Sequence, residues 1–457
     1  MTGTPGPTGT VIAGCHVATV DDDGTEHADG HVAWRDGRIV AVGSGPPPAA
    51  LAGWHRWDGA GLLVTPGLVN AHHHLYQWIT RGYACDDTLF GWLTALYPVW
   101  ARLTPDLLHA SAAANLGWLA LSGCTTTMDH HYVFPHGSGD LLEAEITAAA
   151  RIGLRFHPAR GSMNLGASAG GLPPDHVVET HDRVLAATEA AIDRWHDSAD
   201  DAMVRIAVGP CSPFSVTPEL MRDAAALARA RGVRLHTHLA ETRDEEDFCR
   251  ATVGRTPAEY AEDLGWLGPD VWIAHGVHLS DAAVTRLAAT GTGVAHCPTS
   301  NGRLGSGIAP VRRLLDAGAV VGLGVDGAAS NESGRMDREL HQALLAARYA
   351  GGPHALTARE ALRMATRGGA ACLGREGEVG SIEAGRLADL AVWRTADLAV
   401  SGIADPVAAL VFGAPTLAHL VVGGRTVVAD GELRTADPQS LAREAARASA
   451  VIGRRPQ

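Results

Sequence analysis

Imidazole and carboxylate recur in four short segments between residues 72 and 327. They are His72-His73-His74 behind Thr65-Pro66-Gly67, His236-Thr237-His238-Leu239-Ala240-Glu241, Ala274-His275-Gly276 and Gly324-Val325-Asp326-Gly327. Each follows an apolar, strand-like run. Ring nitrogen and carboxylate oxygen are the donors a hydrolytic Zn²⁺ takes, with one position left open for water. His72 and His74 share a face of an extended chain, so both rings can reach one cation, whereas His73 points away and reads as structural. His238 suits a third ligand. Asp326 ends the nearly all-apolar run Val320 to Val325, where a carboxylate is costly unless paired or metal-bound, so it reads as the fourth.

Glu241, three residues past His238, is placed to carry protons over a metal-bound water; the plainer alternative is a surface loop carboxylate. His275 closes Val271-Trp272-Ile273-Ala274. It is either a satisfied polar core residue or, beside a metal, the group that orients the hydroxide and steadies a tetrahedral adduct. His236 shares the face of His238 one layer deeper and reads as support for the ligands or as core. His296 reads as structural.

Eight β-like runs can position these residues: 68–72, 124–129, 154–159, 203–208, 233–238, 271–275, 293–297 and 319–326. Helical patterns separate most of them. In one unit Thr217-Pro218-Glu219 offers a cap with proline at the first helical position. Leu220, Ala224 and Leu227 follow at helical spacing, and Gly232 stops the helix before the strand that carries His236 and His238. Eight such units predict a (β/α)₈ barrel, whose active site lies at the C-terminal strand ends, where all four segments fall.

The chain ends read differently, as short strands with turns: residues 11–13, 31–34 and 38–42, then 388–393, 419–422 and 426–428. The two ends are expected to form one small β-sandwich, residues 1–65 with 375–457, flanking a catalytic barrel over 66–374. The stretch 75–121 exceeds a normal strand-to-helix connection. Its aromatics suggest either a lid or oligomer face, or a helix pair packed on the barrel.

Composition narrows the chemistry. All 37 basic residues are arginine. That excludes a Schiff-base lysine, a P-loop lysine and a carbamylated lysine bridging two metals. No His-Glu-x-x-His or nucleophile elbow is present, and Pro210-Cys211 lacks the second cysteine of a Cys-x-x-Cys zinc site. A net charge of −13 argues against nucleic acid and anionic membranes as partners. No run approaches transmembrane length and no signal-peptide pattern opens the chain, so the expected location is cytoplasmic. The seven cysteines are widely spaced and read as reduced, mostly buried thiols.

Pro66-Gly67 with His72-x-His74, His238-x-x-Glu241, His275 and Asp326, closed by Gly380-Ser381-Ile382-Glu383-Ala384-Gly385-Arg386-x-Ala388-Asp389-Leu390, resembles the amidohydrolase superfamily over essentially the whole chain. The missing lysine places the resemblance in the mononuclear-metal deaminase branch. Loops such as His131-Tyr132-Val133-Phe134-Pro135 and Arg160-Gly161-Ser162-Met163-Asn164-Leu165-Gly166 are similar to those of 8-oxoguanine deaminases, and triazine hydrolases of the same branch share several of them. The resemblance implies zinc-dependent hydrolytic deamination of an aminated purine- or pyrimidine-like base, 8-oxoguanine first. The alternatives are hydrolysis of s-triazine-like rings, or guanine or isocytosine deamination. It further implies one Zn²⁺ per subunit, with Fe²⁺ as the alternative, and catalysis by Glu241, His275 and Asp326. Gln77 would bind a ring carbonyl, or else stabilise its loop, and Arg160 is a further candidate for a substrate carbonyl. The partner is a small heterocycle, and the expected assembly is a homo-oligomer, a dimer or higher.

Overall fold

The computed structural model describes residues 9–454. The N-terminal strands are β1 (Thr10–Ala18), β2 (Glu26–Arg35), β3 (Arg38–Ser44), β4 (His55–Asp58) and β5 (Leu62–Pro66). Eight further strands follow: β6 (Leu68–Asn70), β7 (Cys124–His131), β8 (Arg155–Ser162), β9 (Ala207–Pro210), β10 (Arg234–Leu239), β11 (Val271–His275), β12 (Gly293–His296) and β13 (Val321–Leu323). These eight close into a barrel in sequence order, with every pair parallel. The predicted (β/α)₈ barrel is the fold.

Strands from the other end, β14 (Leu390–Arg394), β15 (Leu417–Val422), β16 (Arg425–Ala429) and β17 (Glu432–Leu433), join β1 to β5 in a nine-stranded sheet. The ends meet where β5 pairs antiparallel with β14, Pro66 opposite Leu390. Ile12, Val32, Ile39, Val64, Leu390 and Val421 pack in its separate apolar core. The sheet turns into the barrel at Gly67, whose amide bonds to Asp389 O at 2.9 Å. A Cβ there would sit 2.1 Å from the Thr125 side chain, so only glycine fits this close approach.

Local chemistry explains the repeating unit. Thr217 accepts from Leu220 N, Pro218 opens the helix, and Gly232 at φ +66° ends it before β10. Small inward residues such as Ala71, Ala159, Ala207 and Ala295 leave room in the bore for the Trp272 indole, which donates to Ala71 O at 2.9 Å.

Two strands depart most from their expected spans. The 203–208 run touches β8 at an isolated bridge, Val204 opposite Phe156, and pairs continuously only from Ala207 onward; between them the Arg205 side chain reaches Glu378. The 319–326 run is a strand only over Val321–Leu323, because the chain bends outward to place Asp326 at φ +63°. The 75–121 stretch is a 3₁₀ turn, Leu75–Thr80, and two helices, α1 (Leu89–Trp100) and α2 (Pro105–Ala120). The two readings of that stretch divide between the helices. α2 packs on α3 (Leu141–Ile152) and the C-terminal helix, while α1 lies over the mouth of the barrel. Among the described residues no helix is long and apolar enough to cross a membrane, and all seven cysteines are free, six of them buried.

Sheet and barrel are tied by a buried bidentate pair. Arg155 Nε and Nη2 donate to Asp389 at 2.7 and 3.1 Å, and Asp389 also accepts from Gly423 N. Breaking a buried pair strands the surviving charge. Asp389→Asn is therefore expected to cost about 3–5 kcal/mol, measured as a fall in the chemical-denaturation midpoint at constant slope. A loss no larger than that of a surface pair would show that the contact does not hold the two sheets together.

Candidate metal centre and active-site cleft

All four segments lie on one rim of the barrel. His72 and His74 follow β6, His238 lies near the end of β10, His275 ends β11 and Asp326 follows β13. His72 Nε2 and His74 Nε2 stand 3.4 and 3.3 Å from Asp326 Oδ1, and His74 Nε2 is 3.1 Å from His238 Nε2.

Backbone carbonyls decide which nitrogen of each ring carries the proton, because a carbonyl only accepts. His74 Nδ1 donates to His130 O at 2.8 Å and His238 Nδ1 to Cys211 O at 2.7 Å. His236 Nδ1 donates to Trp272 O, so its Nε2 must accept from His72 Nδ1 at 2.8 Å. Each of the three rings therefore aims an Nε2 lone pair at the same point. Two lone pairs facing at 3.1 Å repel unless a cation lies between them, and His72 Nε2 is buried without any hydrogen-bond partner. Burial also lowers the pKa of all three rings, that of His74 to about 4, which keeps them neutral donors at physiological pH. Burial opposes ionisation of Asp326 too, but the His72, His275 and His74 rings hold its carboxyl well below the usual range. Three neutral imidazoles and one carboxylate fit zinc, and the outer carbonyl and His236 bonds orient them as ligating histidines require.

His275 faces this cluster from the side. Its Nδ1 bonds to Asn301 Oδ1 at 3.0 Å, leaving Nε2 at 3.6 Å from Glu241 Oε2 and 4.0 Å from Asp326 Oδ2. Glu241 is buried, 5% exposed, so it is not the surface carboxylate of the plainer reading. Burial and the Asp326 charge, against the opposing pull of His275, lift its pKa to about 7. At that value a carboxyl both takes and gives a proton near neutrality.

Three residues here hold φ above zero without being glycine: Ala240 (+54°), His275 (+73°) and Asp326 (+63°). Such backbone is strained and persists only where its surroundings hold it. One such support escaped the sequence reading. Glu245 accepts from both Ala240 N and Glu241 N at 2.9 Å and so fixes the bend that aims Glu241. The signal was there in Thr242-x-x-Glu245, the pattern of a capping box, although this glutamate reaches past the cap. His130 was also missed. It faces inward, stacks on His238 at 4.8 Å and bonds to Gly209 O.

Of the substrate-binding candidates, Gln77 lines the cleft above the cluster, its Oε1 accepting from Ala329 N at 3.3 Å. Arg160 does not reach the cleft. It stands on the outer face of β8, paired with Glu179 and stacked 3.8 Å from Phe134, beside a separate cavity. A one-residue difference in strand parity separates it from the bore. His73 bonds to Asp326 O, and His296 is buried with neither ring nitrogen hydrogen-bonded. Leu89, Trp92, Leu93, Tyr97, Phe214 and Leu304 wall the cleft, an apolar surround with polar groups only at its floor and one side. Trp92 Nε1 donates to Ala329 O and ties α1 to the loop bearing Asp326.

The fold and this cluster define a barrel hydrolase with one metal centre. Residues 63–427 match the family model described as amidohydrolase family. The chain belongs to that family. It is 46% identical over 430 residues to an 8-oxoguanine deaminase of Pseudomonas aeruginosa, spanning 93% of this chain and 95% of that protein. It is 36% identical to the hydroxydechloroatrazine ethylaminohydrolase of Pseudomonas sp. strain ADP, over 96% and 94% of the two chains. Among solved structures, an atrazine chlorohydrolase from Arthrobacter aurescens TC1 complexed with zinc superposes with TM-score 0.89 at 37% identity, over 97% and 100% of the chains.

Removing a candidate ligand that also lines the cleft floor tests the cluster directly. His238→Ala is expected to lose bound zinc in metal analysis after dialysis while keeping its far-ultraviolet dichroism. Full zinc occupancy in that variant would discredit the donor set.

Proposed function

We propose that the enzyme deaminates an aminated purine-like heterocycle by hydrolysis, with 8-oxoguanine as its substrate and urate and ammonia as products. The observation that carries this reading is Glu241, a buried carboxyl with a pKa near 7 at the floor of an apolar cleft, 3.6 Å from His275. Identity of 46% to an 8-oxoguanine deaminase supports the choice of ring.

His72, His74, His238 and Asp326 would hold the zinc. Zinc held there would supply a nucleophilic water near neutral pH by lowering its pKa from 15.7 toward about 7. Glu241 takes a proton on Oε2 and delivers it to the ring nitrogen beside the amino-bearing carbon, which makes that carbon electrophilic. Against burial, the Glu241 and Asp326 carboxylates raise the pKa of His275, so that with Nδ1–H held by Asn301 it donates a second proton, on Nε2, toward the charge that develops on the oxygen of the tetrahedral adduct. Asp326 and Glu241 together return a proton to the departing amine. Gln77 orients a ring carbonyl from the cleft wall, and the six apolar side chains around it exclude water and favour a flat ring. Arg160 keeps the outer face of β8 packed rather than touching substrate.

A second reading, hydrolysis of s-triazine-like rings, is favoured by the backbone. A triazine hydrolase of Arthrobacter aurescens superposes with TM-score 0.92 at 36% identity, over 98% and 100% of the chains. The same proton carriers would serve it, and only the ring and the leaving group differ. We also propose a cytoplasmic homo-oligomer. Seven unpaired thiols suit a reducing compartment, and an apolar groove beside Trp78, Trp118 and Leu441 offers a self-association face.

Glu241→Gln is expected to keep zinc and lose about 10²–10⁴ in kcat, the range of general acid–base help; turnover retained in that variant would remove Glu241 from its role. In ammonia-release assays across 8-oxoguanine, guanine, isocytosine and amino-s-triazines, 8-oxoguanine is expected to give the highest kcat/KM. No release from any of them would overturn the deaminase reading.

A further inference from the structure

A second group of titratable side chains lies behind the metal centre, on the outer face of β7. Asp129, His131 and Glu145 are each 0% exposed, and one donor atom from each lies within 4.8 Å of the other two. Asp129 Oδ1 accepts from Leu75 N at 2.5 Å, directly after His74. His131 Nε2 donates to Val133 O at 2.8 Å, and Nδ1 meets Glu145 Oε1 at 3.0 Å. Asp129 Oδ2 and Glu145 Oε2 are left buried without partners, and the two carboxyl groups each place an oxygen within 4.8 Å of the other.

Two ionised carboxylates side by side in a dry pocket are prohibitive. Counting protons resolves the cluster. Val133 O requires one on His131 Nε2, the Nδ1–Oε1 contact requires a second, and the two orphaned oxygens require a third between them. A neutral imidazole already carries the first of these, so the other two, set against two carboxylates, bring the net charge to zero. The proton count that satisfies every buried atom is also the one that makes the cluster neutral. Burial pushes both acids upward in pKa; the Glu145 charge adds to the rise of Asp129, while the contact with Asp129 moderates that of Glu145.

We propose that Asp129 is a positioning residue that carries a proton on Oδ2, donates it to Glu145 Oε2, and so holds Oδ1 as a fixed acceptor for the amide that follows His74. Three bonds from adjacent residues of β7 then clamp the histidine segment: His130 N to His73 O at 2.8 Å, His74 Nδ1 to His130 O at 2.8 Å, and Leu75 N to Asp129. Ser111 Oγ completes the clamp on Leu75 O at 2.7 Å. The consequence for the metal rests on His74 being a ligand, as proposed above; the proton itself does not.

A zinc ion is a poorer account of the cluster than a proton. His131 Nε2 is occupied by a carbonyl, and its Nδ1 is directed at a carboxylate 3.0 Å away. Asparagine imitates a protonated aspartic acid in shape and charge, with an amide N–H in place of the acid O–H and the same carbonyl for Leu75.

The test compares wild type with Asp129→Asn and Asp129→Ala. The wild-type-minus-Asp129→Asn infrared difference spectrum should show one protonated-carboxyl C=O band, shifted by deuterium between H₂O and D₂O. Competition with a chelator should leave zinc affinity near wild type in Asp129→Asn and weaken it about 10–100-fold in Asp129→Ala, the usual cost of losing support behind a metal ligand. No band difference overturns the shared proton. Asp129→Asn losing zinc as Asp129→Ala does, or Asp129→Ala losing none, overturns the positioning role. Two zinc ions per wild-type chain, falling to one in Asp129→Asn, would make the cluster a metal site instead. Should Asp129→Ala fail to fold, the infrared comparison and Asp129→Asn still decide. His74→Ala, measured alongside, separates a failure of the ligand reading from a failure of this one, because the infrared band does not depend on zinc.

Discussion

Three buried imidazole lone pairs converging at the floor of the cleft are the constraint on which the rest of this molecule depends. His74 Nε2 and His238 Nε2 face each other at 3.1 Å with no proton available to either, since a carbonyl has claimed the opposite nitrogen of each ring. Without a cation that arrangement is repulsive, so the folded chain stores part of the binding free energy as pre-set orientation. The architecture supplies those carbonyls. A parallel barrel directs its strands toward one rim, and the backbone groups left over where ladders end are free to bond side chains there. Cys211 and His130 provide two such groups, and Trp272 sets the His236 ring that in turn sets His72.

Strain is the cost of turning those side chains inward. Ala240, His275 and Asp326 leave three strands with φ above zero, where each non-glycine residue costs about 1–3 kcal/mol. Each has a dedicated restraint. Glu245 takes two amides at the Ala240 bend, Asn301 holds the His275 ring, and the Asp326 turn is closed by Asp326 N to His72 O with Asn70 Oδ1 on Val325 N. The last pair closes the barrel with the same segment that bears His72 and His74. Ligand placement and barrel closure are therefore one set of bonds.

What could be read from the sequence followed from residue type and period. Carboxylate and imidazole ending apolar runs located all four segments, and eight runs separated by capped helices specified the barrel. Parity was the weak point. On β8 the inward side chains include Ala159, so Arg160 faces out to Glu179 although it sits at a strand end. Period-two reasoning holds within a strand, but which face is inward depends on a register set by neighbouring strands. Asn301 was invisible for another reason: it acts on the ring of His275, 26 residues away, which only the folded chain brings to it, whereas Glu245 acts locally and left its capping-box pattern in the sequence.

The same parity divides labour along β7. His130, inward, stacks on the His238 ring, while Asp129 and His131, outward, belong to a neutral hydrogen-bonded cluster against α3. Inward residues can then bear unsatisfied lone pairs because outward ones leave none. A buried polar group tolerates a missing partner only where its neighbours are immobile, and a fully satisfied network is what makes them so. The orphaned nitrogen of His72 is thus sustained by bonds several residues away from it. Chemistry at the rim requires a barrel wall that is polar on its outer face at this one place, and apolar helix packing alone would not hold His74 in register.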